Sequence, residues 1–85
     1  MKTYNGLTAQ EFAAEVNNAI SGIRLIDDRI SILRDLEFVG HFEEKPMGSG
    51  GVGQYKEMKD GTLRVQIGYG HGKSNYAMCL VVQAD

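Results

Sequence analysis

Residues 8–37 read TAQEFAAEVNNAISGIRLIDDRISILRDLE, and this segment decides the fold. Thr8 and Glu11 have the spacing of a capping box, in which each side chain bonds the backbone N–H of the other at a helix start. Beyond the cap, apolar residues recur at alternating steps of four and three: Phe12, Val16, Ala19, Ile23, Ile26, Ile30 and Leu33. Because this periodicity is typical of one side of an amphipathic helix, we predict one long helix over residues 8–37.

The predicted helix has one weak point, at Gly22. Glycine inside a helix costs about 1 kcal/mol relative to alanine, and Asn17, Asn18 and Ser21 lie just before it. A break there would give two shorter helices. We predict a continuous helix because the apolar spacing passes through Gly22 without a shift of phase.

The second half of the chain has the pattern of a small β-sheet. Nine of the eleven glycines lie at or after Gly40, and apolar residues alternate with a period of two. This pattern predicts strands at residues 38–45, 54–59, 62–69 and 75–83. The second strand is polar on its inner side, as expected at a sheet edge. The fourth is apolar on both sides, as expected for a strand that is covered on both sides or lies at the centre of the sheet.

The order of elements predicts a single two-layer α+β domain over residues 1–85, with one helix across a four-stranded antiparallel sheet. Asp60-Gly61 predicts a two-residue type I′ hairpin turn between the second and third strands. That turn would place Glu57 opposite Arg64, a cross-strand pair of opposite charges.

Composition limits the class of protein. Cys79 is the only cysteine, so no internal disulfide is expected, which fits the reducing cytoplasm. No apolar run has the length of a signal segment or a membrane span. The net charge of −2 argues against a nucleic-acid partner. A chain of 85 residues buries only about 60% of the surface that its unfolded form exposes, so we expect oligomerisation to stabilise the fold.

Two glycine-rich segments resemble nucleotide-binding motifs but lack their context. Residues 48–53 match G-x-G-x-x-G, yet a strand is predicted after them where that fingerprint requires a helix. Residues 68–74 end in Gly-Lys-Ser with a spacing one residue short of a phosphate loop. His41, His71 and Cys79 do not have the spacing of a zinc site. We predict no metal, no cofactor and, without an identifiable acid–base or nucleophile–base pair, no enzymatic activity.

The leading functional hypothesis is a non-catalytic, cytoplasmic protein-binding module that acts as a homodimer. The apolar arc of the predicted helix is wider than one sheet face needs. A helix of about 28 residues, roughly 42 Å long, also exceeds strands of roughly 27 Å. A second copy of the chain is the nearest surface that could cover the apolar residues that extend beyond the sheet. The expected dimer contacts are Ile20, Leu25, Arg29, Ile32 and Leu36.

Chains of this size and composition are common among phage-encoded and mobile-element accessory proteins, which suggests an inhibitor that occludes a surface of another protein. Tyrosine gives a large contact area at a low entropy cost and is favoured at interfaces. The expected partner contacts are Met47, Tyr55, Tyr69, His71 and Lys73.

The alternative hypothesis is a small-ligand domain that binds an anion, such as a nucleotide, with the two glycine-rich loops. Both loops would emerge at the same end of the sheet. The helix N-terminus would join them if the helix runs antiparallel to the first strand, and backbone amides at such an end favour anions. This site would comprise Ser49, Gly50, Gly51, His71, Lys73 and Ser74.

Overall fold

The computed structural model describes residues 2–48, 50–69 and 75–85. Two helices, α1 (Ala9–Ala19) and α2 (Ile26–Asp35), precede four strands. These strands are β1 (His41–Pro46), β2 (Tyr55–Glu57), β3 (Thr62–Gln66) and β4 (Tyr76–Gln83). They form one antiparallel sheet in the order β1-β4-β3-β2. The predicted α+β class with a four-stranded antiparallel sheet is confirmed.

The prediction of one helix over residues 8–37 is wrong, because the chain turns between two helices. The start is as predicted: the Thr8 hydroxyl accepts the Glu11 N–H at 3.1 Å, and the Glu11 carboxylate accepts the Thr8 N–H at 3.0 Å. The helix is capped at its end by Ile20, and Gly22 follows with φ of +80°. Glycine enters this left-handed region without a steric penalty, which lets the chain change direction.

Folding back at Gly22 buries apolar residues that a straight helix would leave beyond the sheet. The longest strand has eight residues, so a continuous helix would overhang it. In the structure, Leu33 of α2 is buried in the same core as Phe12 of α1. Phe38, which follows α2, meets Phe12 edge to face with ring centroids 5.6 Å apart. The apolar spacing continues through Gly22 because both helices face one sheet.

Arg29 ties the turn between the helices to the sheet. Its Nε donates to the carbonyl of Ile23 and its Nη1 to the carbonyl of Ile67, both at 2.7 Å. Ile26 lies against Gly68, where a Cβ would come within 2.5 Å of the Ile26 side chain. The first turn of α2 therefore lies at the end of the sheet where β3 ends.

β4 lies at the centre of the sheet, as its two apolar sides predicted, and β2 is a short edge strand. The helix-facing side of the sheet belongs to the main core, whose fully buried members include Tyr4, Phe12, Val16, Leu33, Leu63, Val65, Ile67 and Leu80. The other side of β4 forms a second buried cluster, which comprises Met47, Ala77, Cys79 and Val81.

The β2–β3 hairpin has a different register from the predicted one. Lys56 lies opposite Arg64, and Glu57 lies opposite Leu63. The predicted pair of Glu57 with Arg64 is therefore wrong by one residue. Since side chains alternate between faces, this shift moves Lys56 away from the helices and turns Glu57 towards them.

The geometry of the turn matches the observed register. The Gly61 N–H donates to the Met58 carbonyl at 3.1 Å, and Gly61 has φ of +89°. Asp60 has no positive φ, so the turn is not type I′, which needs positive φ at two residues. The Asp60 carboxylate instead accepts the N–H and the hydroxyl of Thr62, at 3.0 and 2.6 Å.

A turn with positive φ at two successive residues does occur, at Asn5-Gly6, with φ of 52° and 78°. Tyr4 and Leu7 flank it and exchange backbone hydrogen bonds of 2.7 and 3.0 Å. The Asp85 carboxylate accepts the N–H groups of Asn5 and Gly6, at 3.1 and 2.8 Å. The residues after β4 are thereby joined to the segment before α1.

The conformation of Gly22 predicts the sign of a substitution. Gly22→Ala should lower the free energy of unfolding by about 1 kcal/mol, because alanine is strained at positive φ. In a continuous helix the same change would raise it by about as much. Urea unfolding monitored by circular dichroism measures this difference. Ser21→Ala, at the exposed neighbouring position, is the control, and a stabilised Gly22→Ala variant would contradict the break.

Asp85 predicts a pH dependence. Hydrogen bonds from the Gly6 N–H and then the Thr3 hydroxyl lower the pKa of Asp85 below its ordinary value of 3.8. A depressed pKa stabilises the fold above the ordinary value, and this contribution is lost as the pH falls through the folded-state pKa. Asp85→Asn should therefore reduce stability at neutral pH and flatten the decline below pH 3.8. Chemical unfolding across the acid range measures this, with exposed Glu15→Gln as control; parallel curves for wild type and Asp85→Asn would contradict it.

Candidate functional site

The outer side of α2 is an exposed apolar surface. Leu25 and Leu36 are 67% and 54% exposed, and half-buried Ile32 lies between them in sequence at helical spacing. We call Leu25, Ile32 and Leu36 the α2 face. A groove of about 460 Å³ runs along it and is lined by Gly22, Ile23, Arg24, Leu25, Asp28, Ser31, Ile32 and Asp35.

The structure divides the predicted dimer contacts into two groups. Leu25, Ile32 and Leu36 make up the α2 face. Ile20 is only 3% exposed and belongs to the core, while Arg29 is half-buried and bonded to two carbonyl groups of its own chain. Ile20 caps the end of α1 and faces the core, while the Arg29 side chain reaches from α2 to the turn after Gly22 and to the end of β3.

The predicted partner contacts are also separated. Tyr55 and Tyr69 are exposed, at 40% and 70%. Met47 is only 1% exposed, so its expected role as a surface contact is wrong: its N–H donates to the Asn75 carbonyl at 2.7 Å and its side chain packs in the second cluster. His71 and Lys73 lie outside the described residues.

Part of the alternative anion site lies outside the described residues, namely Ser49, His71, Lys73 and Ser74. Gly50 and Gly51 are exposed. The antiparallel pairings make β1 and β3 run in the same direction, so the connections after them leave the sheet at the same end, as expected. We call this the loop end of the sheet.

The helix N-termini do not support an anion at the loop end. α1 begins at the opposite end, where the Tyr4 hydroxyl donates to Glu57, the last residue of β2, at 3.2 Å. α2 begins at the loop end, but its first turn carries Asp27 and Asp28. These carboxylates already face the positive end of the helix dipole and repel a second anion.

Three basic side chains share the sheet face that points away from the helices. Arg64 lies opposite Lys56 on one side and Val81 on the other, while Lys45 lies opposite Ala77. We call Lys45, Lys56 and Arg64 the basic patch. The sequence did not reveal it, because the predicted hairpin register turned Lys56 towards the helices. A register shifted by one residue exchanges the two faces of a strand.

The basic patch surrounds a buried thiol. Cys79 has no exposed surface, and burial raises the pKa of its thiol to about 11, although Arg64, Lys45 and Lys56 each act to lower it. On the same face and directly opposite Cys79, Glu43 accepts hydrogen bonds from His41 at 3.0 Å and from Lys45 at 3.4 Å, which lower the pKa of Glu43. The neutral thiol is a poor nucleophile and gives no support to thiol chemistry.

The burial of Cys79 predicts slow modification. In the native protein, Cys79 should react with a thiol reagent far more slowly than in the urea-unfolded chain, because the reactive thiolate is scarce and sterically covered. Mass spectrometry after timed alkylation at pH 8 measures both rates. Native and unfolded rates within a factor of about two would contradict the burial, and a short cysteine peptide serves as the reference for an open thiol.

No family model, curated protein or solved structure matches this chain. Within residues 2–48, 50–69 and 75–85, no helix combines the length and apolar character needed to cross a bilayer. The same part of the chain contains no group of three or more His, Cys, Asp and Glu side chains arranged to hold a metal ion. The site must therefore be interpreted from its own geometry.

Proposed function

We propose that this protein is a non-catalytic protein-binding module that pairs with a second copy of itself through the α2 face. The observation that carries this proposal is the exposure of Leu25 and Leu36, the residues that cap the two ends of a ten-residue helix in which only Leu33 is fully buried. Burying such side chains removes apolar surface from water, which favours association.

Charge complementarity favours a second copy as the occupant. Arg24 borders the first turn of α2 and Asp35 ends the helix. In a two-fold antiparallel pair of α2 helices, Leu25 of one copy faces Leu36 of the other, and Arg24 faces Asp35. The same contact occurs twice across the two-fold axis, as in the isologous interfaces of most dimers.

The small size of the α2 face limits the expected affinity. It offers three apolar side chains per copy on a helix of ten residues, which is roughly 15 Å long. Stable interfaces bury about 800 Å² per partner, and this surface is smaller. We therefore expect a dimer that dissociates at low micromolar concentration, which sedimentation can follow directly.

Charge reversal tests the proposed pairing. Arg24→Asp and Asp35→Arg should each weaken the dimer roughly tenfold, because each leaves two like-charge contacts across the axis. The double variant should recover most of the wild-type affinity, since the two charges exchange places. Leu25→Asp should give a folded monomer. Sedimentation equilibrium over a range of concentrations measures each constant, and circular dichroism verifies the fold.

Ala14→Asp is the matched control, because Ala14 is exposed on α1 and does not line the groove along the α2 face. It should dimerise like the wild type. A wild-type mass that stays near 9.4 kDa at tens of micromolar would refute the dimer. Failure of the double variant to recover affinity would refute the antiparallel arrangement.

On the same proposal, an inhibited target protein contacts the loop end of the sheet. Tyr69 follows β3 at that end and is 70% exposed, whereas Tyr55 is exposed beside Lys2 and Gln10 near the start of α1. Substitution of both tyrosines by alanine should reduce capture of a target by an immobilised protein without changing the sedimentation constant.

A further inference from the structure

We propose that the basic patch binds a single oxyanion of the phosphate class. Lys56 and Arg64 lie directly opposite each other on neighbouring strands, with Lys45 two strands away from Arg64 on the same face. Like charges at directly opposed positions repel and destabilise a sheet. A bound anion would convert this repulsion into attraction.

Carboxylates among the described residues neutralise only part of the positive charge of the basic patch. On this face, Glu43 forms ion pairs with His41 and with Lys45, and among the described residues neither Lys56 nor Arg64 forms an ion pair with Glu43. Asp60 lies close enough to Arg64 for a weak electrostatic interaction, but its carboxylate is bonded to Thr62.

Arg64 has unused hydrogen-bonding capacity. Its Nη1 donates to the Pro46 carbonyl at 3.1 Å. Its Nε is buried and has no hydrogen-bond partner among the described residues. Buried polar groups are nearly always bonded, so the unpaired Nε leaves the guanidinium with bonding capacity that an oxyanion would reach once the Arg64 side chain moves to expose that atom. An oxyanion can accept from a guanidinium through two of its oxygens.

The chemistry favours phosphate over a carboxylate or a nucleic acid. A phosphate group carries up to two negative charges and three acceptor oxygens, which suits one guanidinium and two ammonium groups. Single-stranded nucleic acid is bound by aromatic side chains beside basic ones. None of the described strand residues on this face is Phe, Tyr or Trp, because Tyr55 lies on the opposite face from Lys56.

Titration with inorganic phosphate tests the proposal. Backbone amide signals from the strands around Lys45, Lys56 and Arg64 should shift and saturate, and the melting temperature should rise, relative to sodium chloride at equal ionic strength. Lys56→Gln should bind phosphate roughly tenfold more weakly, as expected for the loss of one charge-assisted hydrogen bond. It should also melt no lower than the wild type without phosphate, because it relieves the repulsion of Arg64.

Lys2→Gln is the matched control, since Lys2 is an exposed lysine near the start of α1. It should bind phosphate like the wild type. Leu25→Asp should also bind normally, which separates this site from the proposed dimer. Arg64→Lys keeps the charge but loses Nε, and it should weaken phosphate binding if it folds; Lys56→Gln decides the result if it does not.

Three outcomes would overturn the proposal. The first is the absence of saturable shifts with phosphate, and the second is an equal loss of binding in Lys56→Gln and Lys2→Gln. The third is a change of ligand class: acetate binding as tightly as phosphate would indicate a general carboxylate site, and tighter, strongly salt-dependent binding of a single-stranded oligonucleotide would indicate a polyanion surface.

Discussion

The structure depends on covering one apolar sheet face with two short helices. Leu63, Val65 and Leu80 are fully buried there, and strands of three to eight residues offer no support to a helix of thirty. Gly22 resolves this mismatch, because its positive φ lets α2 return over the same sheet. Arg29 then joins the turn to the end of β3, and the half-buried guanidinium is satisfied by two carbonyl groups.

Among the described residues, the other face of the sheet is covered by side chains and by the segment after β1, with no further helix or strand packed on it. The segment after β1 places Met47 over the thiol of Cys79, and the long side chains of Lys45 and Arg64 extend over small apolar residues. Lysine and arginine can cover apolar surface with their aliphatic stems while their charged ends reach water. This solution concentrates positive charge on one face of a protein whose net charge is −2. It also leaves Arg64 Nε without a partner among the described residues.

The two proposed surfaces belong to different layers of the domain. The α2 face lies on the helical layer, and the basic patch lies on the opposite side of the sheet. Because the chain turns at Gly22, neither helix is longer than the sheet, and the excess helix length that indicated a dimer in the sequence is absent. Two observations support self-association: Leu25 and Leu36 are exposed, and Arg24 and Asp35 carry opposite charges.

The sequence by itself determined the local and periodic features, namely the Thr8–Glu11 cap and the α+β class, and it favoured an edge position for β2. These features depend on the spacing of residues within one segment, and that spacing can be read directly from the sequence. The tertiary structure alone decided the break at Gly22, the burial of Met47 and the pairing of Lys56 with Arg64. The apolar pattern of residues 8–37 suits one helix or two helices on a common sheet, so the available strand length selected between them. Likewise, Asp60-Gly61 admits more than one turn, and the contacts of both strands with their neighbours set the register that brought the basic side chains together.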